Sequence, residues 1–186
     1  MKKIVAVFGP STCDPSNALY DDAFVLGRML VESGFTVLTG GYEGVMEAAS
    51  RGAREANGAV IGVTADVYFN RGREANGYLT REIKVKSALD QTMELLDLAD
   101  VYVAIGNSTG TLVEVAIAWD YMTKKFLPRK PLLLVGDVWK SLLGALTSDF
   151  DPQFVHHVHS VQEVAPYLSE FFGPSALLPS LNVING

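Results

Sequence analysis

Three short stretches combine glycine with hydroxyl side chains: GPST at 9–12, TGGYEG at 39–44 and GNSTGT at 106–111. Each follows an apolar run, and the second and third lead straight into amphipathic segments. A helix start offers unpaired backbone N–H groups and the positive end of a dipole. Glycine lets an anion approach that backbone closely. Gly9, Gly40, Gly41, Gly44, Gly106 and Gly110 would open the backbone, and Ser11, Thr12, Ser108, Thr109 and Thr111 would add hydroxyl donors. The ligand such loops suit is a phosphate. Glu114 stands three residues beyond Thr111. Its carboxylate could bind ribose hydroxyls, activate water, or stabilise positive charge as an N-glycosidic bond breaks. The plainer reading is structural. Strand-to-helix turns use Gly, Ser and Thr for geometry, and Thr111-x-x-Glu114 has the spacing of a helix capping box.

Other chemistries fit less well. A P-loop needs G-x-x-x-x-G-K-[ST]; Gly106 and Gly110 stand one residue too close, and no lysine follows. GPSTCD is not the G-x-G-x-x-G dinucleotide fingerprint. His157 and His159 would share one face of a strand, as a zinc pair could. No Cys, Asp or Glu stands at supporting spacing, so the reading is structural or exposed histidines and no metal site. Cys13 sits beside the first loop, where dipoles would lower its pKa, but no histidine accompanies it in sequence.

The elements that must position these residues follow from periodicity. Apolar runs near 3–9, 35–40, 59–64, 101–106 and 131–136 read as buried strands, with a short strand at 82–86 and an edge strand at 154–160. Helical spacing marks 16–33, 44–56 (stopped by Asn57-Gly58), a helix ending near 99–100, one through Leu112–Met122, and a short one at 138–146. A last helix opens on a Ser160/Glu163 capping box. Residues 65–81 lack periodicity and read as a long loop. The expected fold is α/β: one doubly wound, mostly parallel sheet with helices on both faces, Rossmann-like. Such sheets bind ligands at the carboxyl ends of their strands, where all three glycine loops would lie. The domain would span 1–172. The apolar tail 173–186 would pack on the body or on a partner subunit.

The chain has 186 residues, 48% hydrophobic and 19% charged, with a net charge of -6. One domain with a real core is expected. The acidic balance argues against a nucleic-acid partner. A single cysteine excludes an internal disulfide and fits a reducing cytoplasm. No apolar run approaches the roughly 20 residues of a membrane span.

TGGYEGVMEAASRGA at 39–53, followed by ADVYVAIGNSTGTLVEVAIAW at 99–119, resembles the LOG family. Its marks are a G-G-G-x-x-G-[LV]-M loop, met here by Gly40, Gly41, Gly44 and Met46, and a P-G-G-x-G-T-x-x-E motif. The resemblance covers residues 1 to about 172. It is closest to a bacterial branch with T-G-G-x-x-G-V-M-E-A, and molybdenum-cofactor carriers are similar. It implies a Rossmann-like fold, a nucleoside-monophosphate ligand, and homodimers or larger homo-oligomers. In the best-known members it implies phosphoribohydrolase chemistry through the motif Glu and an Arg on the preceding helix. That Glu falls on Glu114, and the motif's G-T on Gly110 and Thr111. Its glycine pair falls on Asn107 and Ser108, and its proline on Gly106. The Arg-Lys pair falls on Gln91 and Thr92, so the catalytic cation is absent from its usual place. Arg71, Arg73, Lys84 or Lys86 could supply one from nearby. The expectation is a protein that binds a nucleoside monophosphate or a related phosphorylated small molecule, with no required cofactor and the molybdenum cofactor as a possible ligand. An active phosphoribohydrolase is the alternative. No lysine stands where lysine decarboxylase chemistry would need one.

Overall fold

Short apolar runs become strands here because each buries both of its faces. In the computed structural model, which describes residues 2–146 and 153–173, alternate residues of a strand enter two separate cores. Val5 and Val7 of β1 (Ile4–Phe8) join one core, and Ala6 and Phe8 join the other. β5 (Val101–Ile105) divides in the same way: Val101, Val103 and Ile105 point one way, Tyr102 and Ala104 the other. Such strands carry no polar face, so they read as continuous apolar runs.

Helices cover both faces. α1 (Ala18–Glu32), α2 (Val45–Glu55) and α7 (Val164–Phe172) close the first core. α4 (Ala88–Leu98), α5 (Thr109–Thr123) and α6 (Asp137–Ala145) close the second. The remaining strands are β2 (Thr36–Thr39), β3 (Val60–Ala65), β4 (Arg81–Val85), β6 (Leu132–Val135) and β7 (Val155–Val158). Their order is β4-β3-β2-β1-β5-β6-β7, and every neighbouring pair is parallel. The chain winds outward from β1 to one edge, returns to β5 beside β1, and winds to the other edge. The doubly wound Rossmann-like expectation is met, with its reversal between β1 and β5. β4 is an edge strand, and Arg81, Glu82 and Lys84 charge it, which discourages pairing with another sheet. No helix among the described residues is long and apolar enough to cross a membrane.

Two expectations are corrected. Residues 65–81 are not all loop: α3 (Asp66–Phe69) forms in their first part. Four residues are about one turn, too short for a helical period to show in sequence. The Ser160/Glu163 capping box does not form. The Ser160 side chain makes no cap bond, and a 3₁₀ turn (Val161–Glu163) leads into α7. Glu163 instead accepts from the N–H of His159 at 3.2 Å. The expected tail lies, from residue 174 onward, outside the described residues.

The rim depends on how closely α1 and α2 approach. A Cβ on Gly27 of α1 would stand 2.0 Å from the carbonyl oxygen of Ala49, and one on Gly52 of α2 would stand 1.9 Å from that of Phe24. The two backbones touch, each using the other's missing side chain. Gly27→Ala should therefore destabilise by about 1–3 kcal/mol, as overpacking does. Gly144→Ala, inside exposed α6 where a Cβ meets nothing within 4 Å, should stabilise by roughly 0.5–1 kcal/mol. Urea melts of both variants test the contrast. Equal effects would count against backbone contact as the reason for Gly27.

Candidate functional site

The three glycine loops meet, as expected, at the carboxyl ends of β1, β2 and β5. They surround a cleft of about 260 Å³. Gly9, Ser11 and Thr12 come from the loop after β1, Gly40 from the turn after β2, Met46 from the start of α2, and Ser108, Thr109, Gly110 and Thr111 from the start of α5. The first two loops are joined: the N–H of Val45 donates to the carbonyl of Pro10 at 3.0 Å. Gly44 makes this possible. It has φ of 70°, and a Cβ there would sit 2.4 Å from that same carbonyl oxygen. Gly41 and Gly44 are buried behind the cleft and shape it from there. Gly106 and Asn107 turn toward the other side of α5 and line neighbouring clefts.

α5 begins earlier than the capping-box reading placed it. Ser108 is the N-cap; its Oγ accepts from the N–H of Thr111 at 3.1 Å and lies 2.8 Å from Thr111 Oγ1. The N–H groups of Thr109 and Gly110 have no intrahelical acceptor, and both residues line the cleft. Ser108 performs the capping that the sequence assigned to Thr111 and Glu114, because its backbone is extended while Thr111 is already helical. Glu114, a turn and a half in, cannot reach the cap and stands in the cleft wall instead.

Glu114 has no charged partner. Burial alone pushes its pKa up to about 8. At neutral pH it is largely the uncharged acid, and it keeps partial solvent contact through the cleft. Gln91, where the LOG resemblance would put an arginine, also lines the cleft, but its amide is committed. Nε2 donates to the carbonyls of Gly40 at 3.0 Å and Val63 at 2.6 Å. Gln91 thus ties α4 to β3 and to the second glycine loop.

The cation comes from the segment read as loop. Arg73 lines the cleft, donates from Nη2 to Ser11 Oγ at 3.3 Å and lies 5.8 Å from the Tyr68 ring centroid. Asn76 anchors this segment: its N–H donates to the Gly41 carbonyl at 2.8 Å and its Nδ2 to that of Tyr42 at 3.0 Å. Tyr42 meets Tyr68 edge-on with centroids 5.4 Å apart, and its hydroxyl both donates to the Ala65 carbonyl and accepts from the Ala65 N–H. Sequence reading named Arg73 as one of four substitutes; it missed Tyr42 and Tyr68. Arg71 and Lys84 are exposed, and Lys84 pairs with Glu82 at 3.6 Å. Cys13, near the first loop, is buried, and that burial raises its thiol pKa rather than lowering it. With Glu114 neutral, Arg73 is the one full charge that the described residues bring to the cleft wall. Free amides, hydroxyls and a single guanidinium make a wall that receives an anion.

Comparison with known proteins agrees with this architecture. The SLOG cluster4 family profile matches residues 2–164, and the chain belongs to that family. The molybdenum cofactor binding protein from the phototrophic bacterium Rippkaea orientalis superposes with a TM-score of 0.76, at 26% identity over 93% of this chain and 99% of that one. The molybdenum cofactor carrier protein of Chlamydomonas reinhardtii gives 0.75, also at 26% identity, over 92% and 99%. An uncharacterized protein of Archaeoglobus fulgidus is 26% identical over 133 residues, 71% of this chain and 83% of its own length.

The Glu114 carboxyl has a pH signature of definite sign. Its pKa is about 8 when folded, against 4.5 as the ordinary value. Between these values the unfolded chain has lost a proton that the folded chain keeps. Glu114 therefore costs stability increasingly as pH rises from about 4.5 to 8, and nothing below that window. Glu114→Gln should melt higher than wild type at pH 8, with the difference vanishing near pH 4.5. Thermal melts across that range check it. A variant gain that is flat with pH would show that the carboxyl titrates normally.

Proposed function

We propose that this chain binds a phosphate-bearing small molecule at the Arg73 cleft and holds it without cleaving it. The molybdenum cofactor is the first ligand to test and nucleoside monophosphates the second. The observation that carries this reading is the convergence of Arg73, the free amides of Thr109 and Gly110, and the hydroxyls of Ser11, Thr12 and Ser108 on one cleft beside a neutral Glu114. The likeness to two proteins described as molybdenum cofactor binding or carrier proteins supports the choice of ligand. At about 260 Å³ the cleft is slightly smaller than the usual small-molecule site of roughly 300–1,000 Å³. It suits the anionic end of a ligand whose remainder extends over the rim.

The LOG-like alternative, hydrolysis of a nucleoside monophosphate, draws support from Glu114 standing in the cleft wall. Two features weigh against it. A largely protonated carboxyl cannot offset an oxocarbenium charge. The arginine expected on α4 is Gln91, whose amide is held by two carbonyls. Homo-oligomer formation belongs to the same proposal: α5 leaves the apolar side chains of Leu112 and Val113 44% and 52% exposed. A mass above one chain by light scattering is expected, and a monomer at every concentration refutes it.

Calorimetric titration with AMP, GMP and the molybdenum cofactor tests the binding itself. Arg73→Ala should weaken the best ligand about ten- to a hundredfold, the cost of one hydrogen bond to a charged group, roughly 1.5–3 kcal/mol. No binding of any phosphate-bearing ligand at millimolar concentration would overturn the reading. Release of free base by wild type, lost in Glu114→Gln, would establish the hydrolase in its place.

A further inference from the structure

The histidines of β7 take no part in the Arg73 cleft, yet they are not isolated. His157 and His159 lie on the same face of the strand's end, their rings edge to face with centroids 5.0 Å apart. Parallel pairing of β7 with β6 places His157 opposite Leu134, so the end of β6 and the start of α6 lie alongside. Asp137 is the first residue of α6. One nitrogen from each of these two imidazoles and one carboxylate oxygen of Asp137 lie within 4.8 Å of one another. No spacing rule in the sequence links Asp137 to residues twenty places later; strand pairing does. Sequence reading expected no metal here because it found no carboxylate near the pair.

The hydrogen bonding of His157 suits a metal ligand. Nε2 of His157 lies 3.1 Å from the carbonyl oxygen of Gly136. That oxygen only accepts, so Nε2 donates to it and Nδ1 is the nitrogen a metal would take. A carbonyl that orients one ring nitrogen while the other faces a metal is the usual second layer of a histidine ligand. Asp137 lies in the first turn of α6. Two imidazoles and one carboxyl group are therefore gathered around a common point.

We propose that Asp137, His157 and His159 form a binding site for a divalent transition-metal ion, with zinc as the reference ion. Imidazole donors select zinc and its neighbours over magnesium or calcium. Ligands about 2.0–2.2 Å from one ion sit roughly 3.3–3.6 Å apart, so the cluster closes on an ion with side-chain rotations of about an ångström. Three protein ligands leave a coordination position for water or for a ligand's donor atom. His159 also lines a second cleft of about 320 Å³, together with Asp22, Gly106, Asn107 and Ser160. The ion would sit on the far side of the β5 loop from Arg73, at the same rim.

The test is calorimetric titration of the full chain with zinc chloride after removal of metal by EDTA. One zinc per chain is expected, with a dissociation constant of micromolar order or tighter, and no comparable binding of magnesium chloride. Asp137→Asn and His159→Ala should each weaken zinc at least tenfold. His156→Gln should leave it unchanged, since that ring packs on Tyr167, 4.8 Å between centroids, from the opposite face of β7. Circular dichroism confirms that each variant is folded. Imidazole NMR signals of His157 and His159, and not of His156, should shift on zinc addition in wild type, which reads the site without any substitution. The proposal is overturned by no zinc uptake at 100-fold excess over the chain, by equal magnesium binding, by variants that bind as wild type, or by shifts confined to His156.

Discussion

All seven strands run in one direction, so every strand-following loop leaves from a single rim. The direction of winding reverses between β1 and β5, so the segments after those two strands part instead of covering each other. The opening left there is the site. Everything else serves to keep it narrow and in register. α1 and α2 touch backbone to backbone through Gly27 and Gly52. Val45 and Pro10 link the first two loops, and Gln91 links the second to β3. A side chain on Gly27, Gly52 or Gly44 would push apart elements that are two strands or less from the cleft.

The charge pattern inside the opening follows from where each ionisable group could be accommodated. The Glu114 carboxyl, half-buried on α5, has its pKa pushed up by burial. An arginine carried on the segment after α3 sets its guanidinium over the Tyr68 ring and reaches Ser11 at the mouth. The LOG resemblance would put a cation deep, on α4, where Gln91 stands; Arg73 stands at the entrance instead. A deep cation would lie beside the Glu114 carboxyl and hold it ionised. Set at the mouth, Arg73 leaves burial as the cause acting on Glu114.

How much of this was legible in sequence depended on the range over which each feature acts. Strands buried on both faces, long amphipathic helices and strand-to-helix glycine loops declare themselves within a few residues, and β1 to α7 followed the expected order. The convergence of the three loops followed from the parallel topology rather than from any single motif. Capping was legible only as spacing. Thr111/Glu114 and Ser160/Glu163 both fit the pattern, yet Ser108 had the extended backbone that a cap requires, and Glu163 turned to His159. The part played by residues 66–80 was hidden, because one short helical turn and a pair of Asn76 hydrogen bonds leave no periodicity. Likewise, nothing local marked Asp137 as a neighbour of His157.

The replacement of the motif glycines by Asn107 and Ser108 then has a consequence beyond the cleft. Ser108 spends its hydroxyl on Thr111, which fixes where α5 begins. With the helix start fixed, Asn107 projects to the opposite side of the loop and lines the cleft it shares with His159. A glycine pair would present one bare surface to an anion. Asn and Ser give the loop two different faces: free amides toward Arg73, and a side-chain amide toward the β6–β7 end of the rim. Gly106, with φ of 71°, supplies the turn that lets one short loop present both. The sheet reversal creates the crevice, and this loop lines two clefts of different composition at its rim.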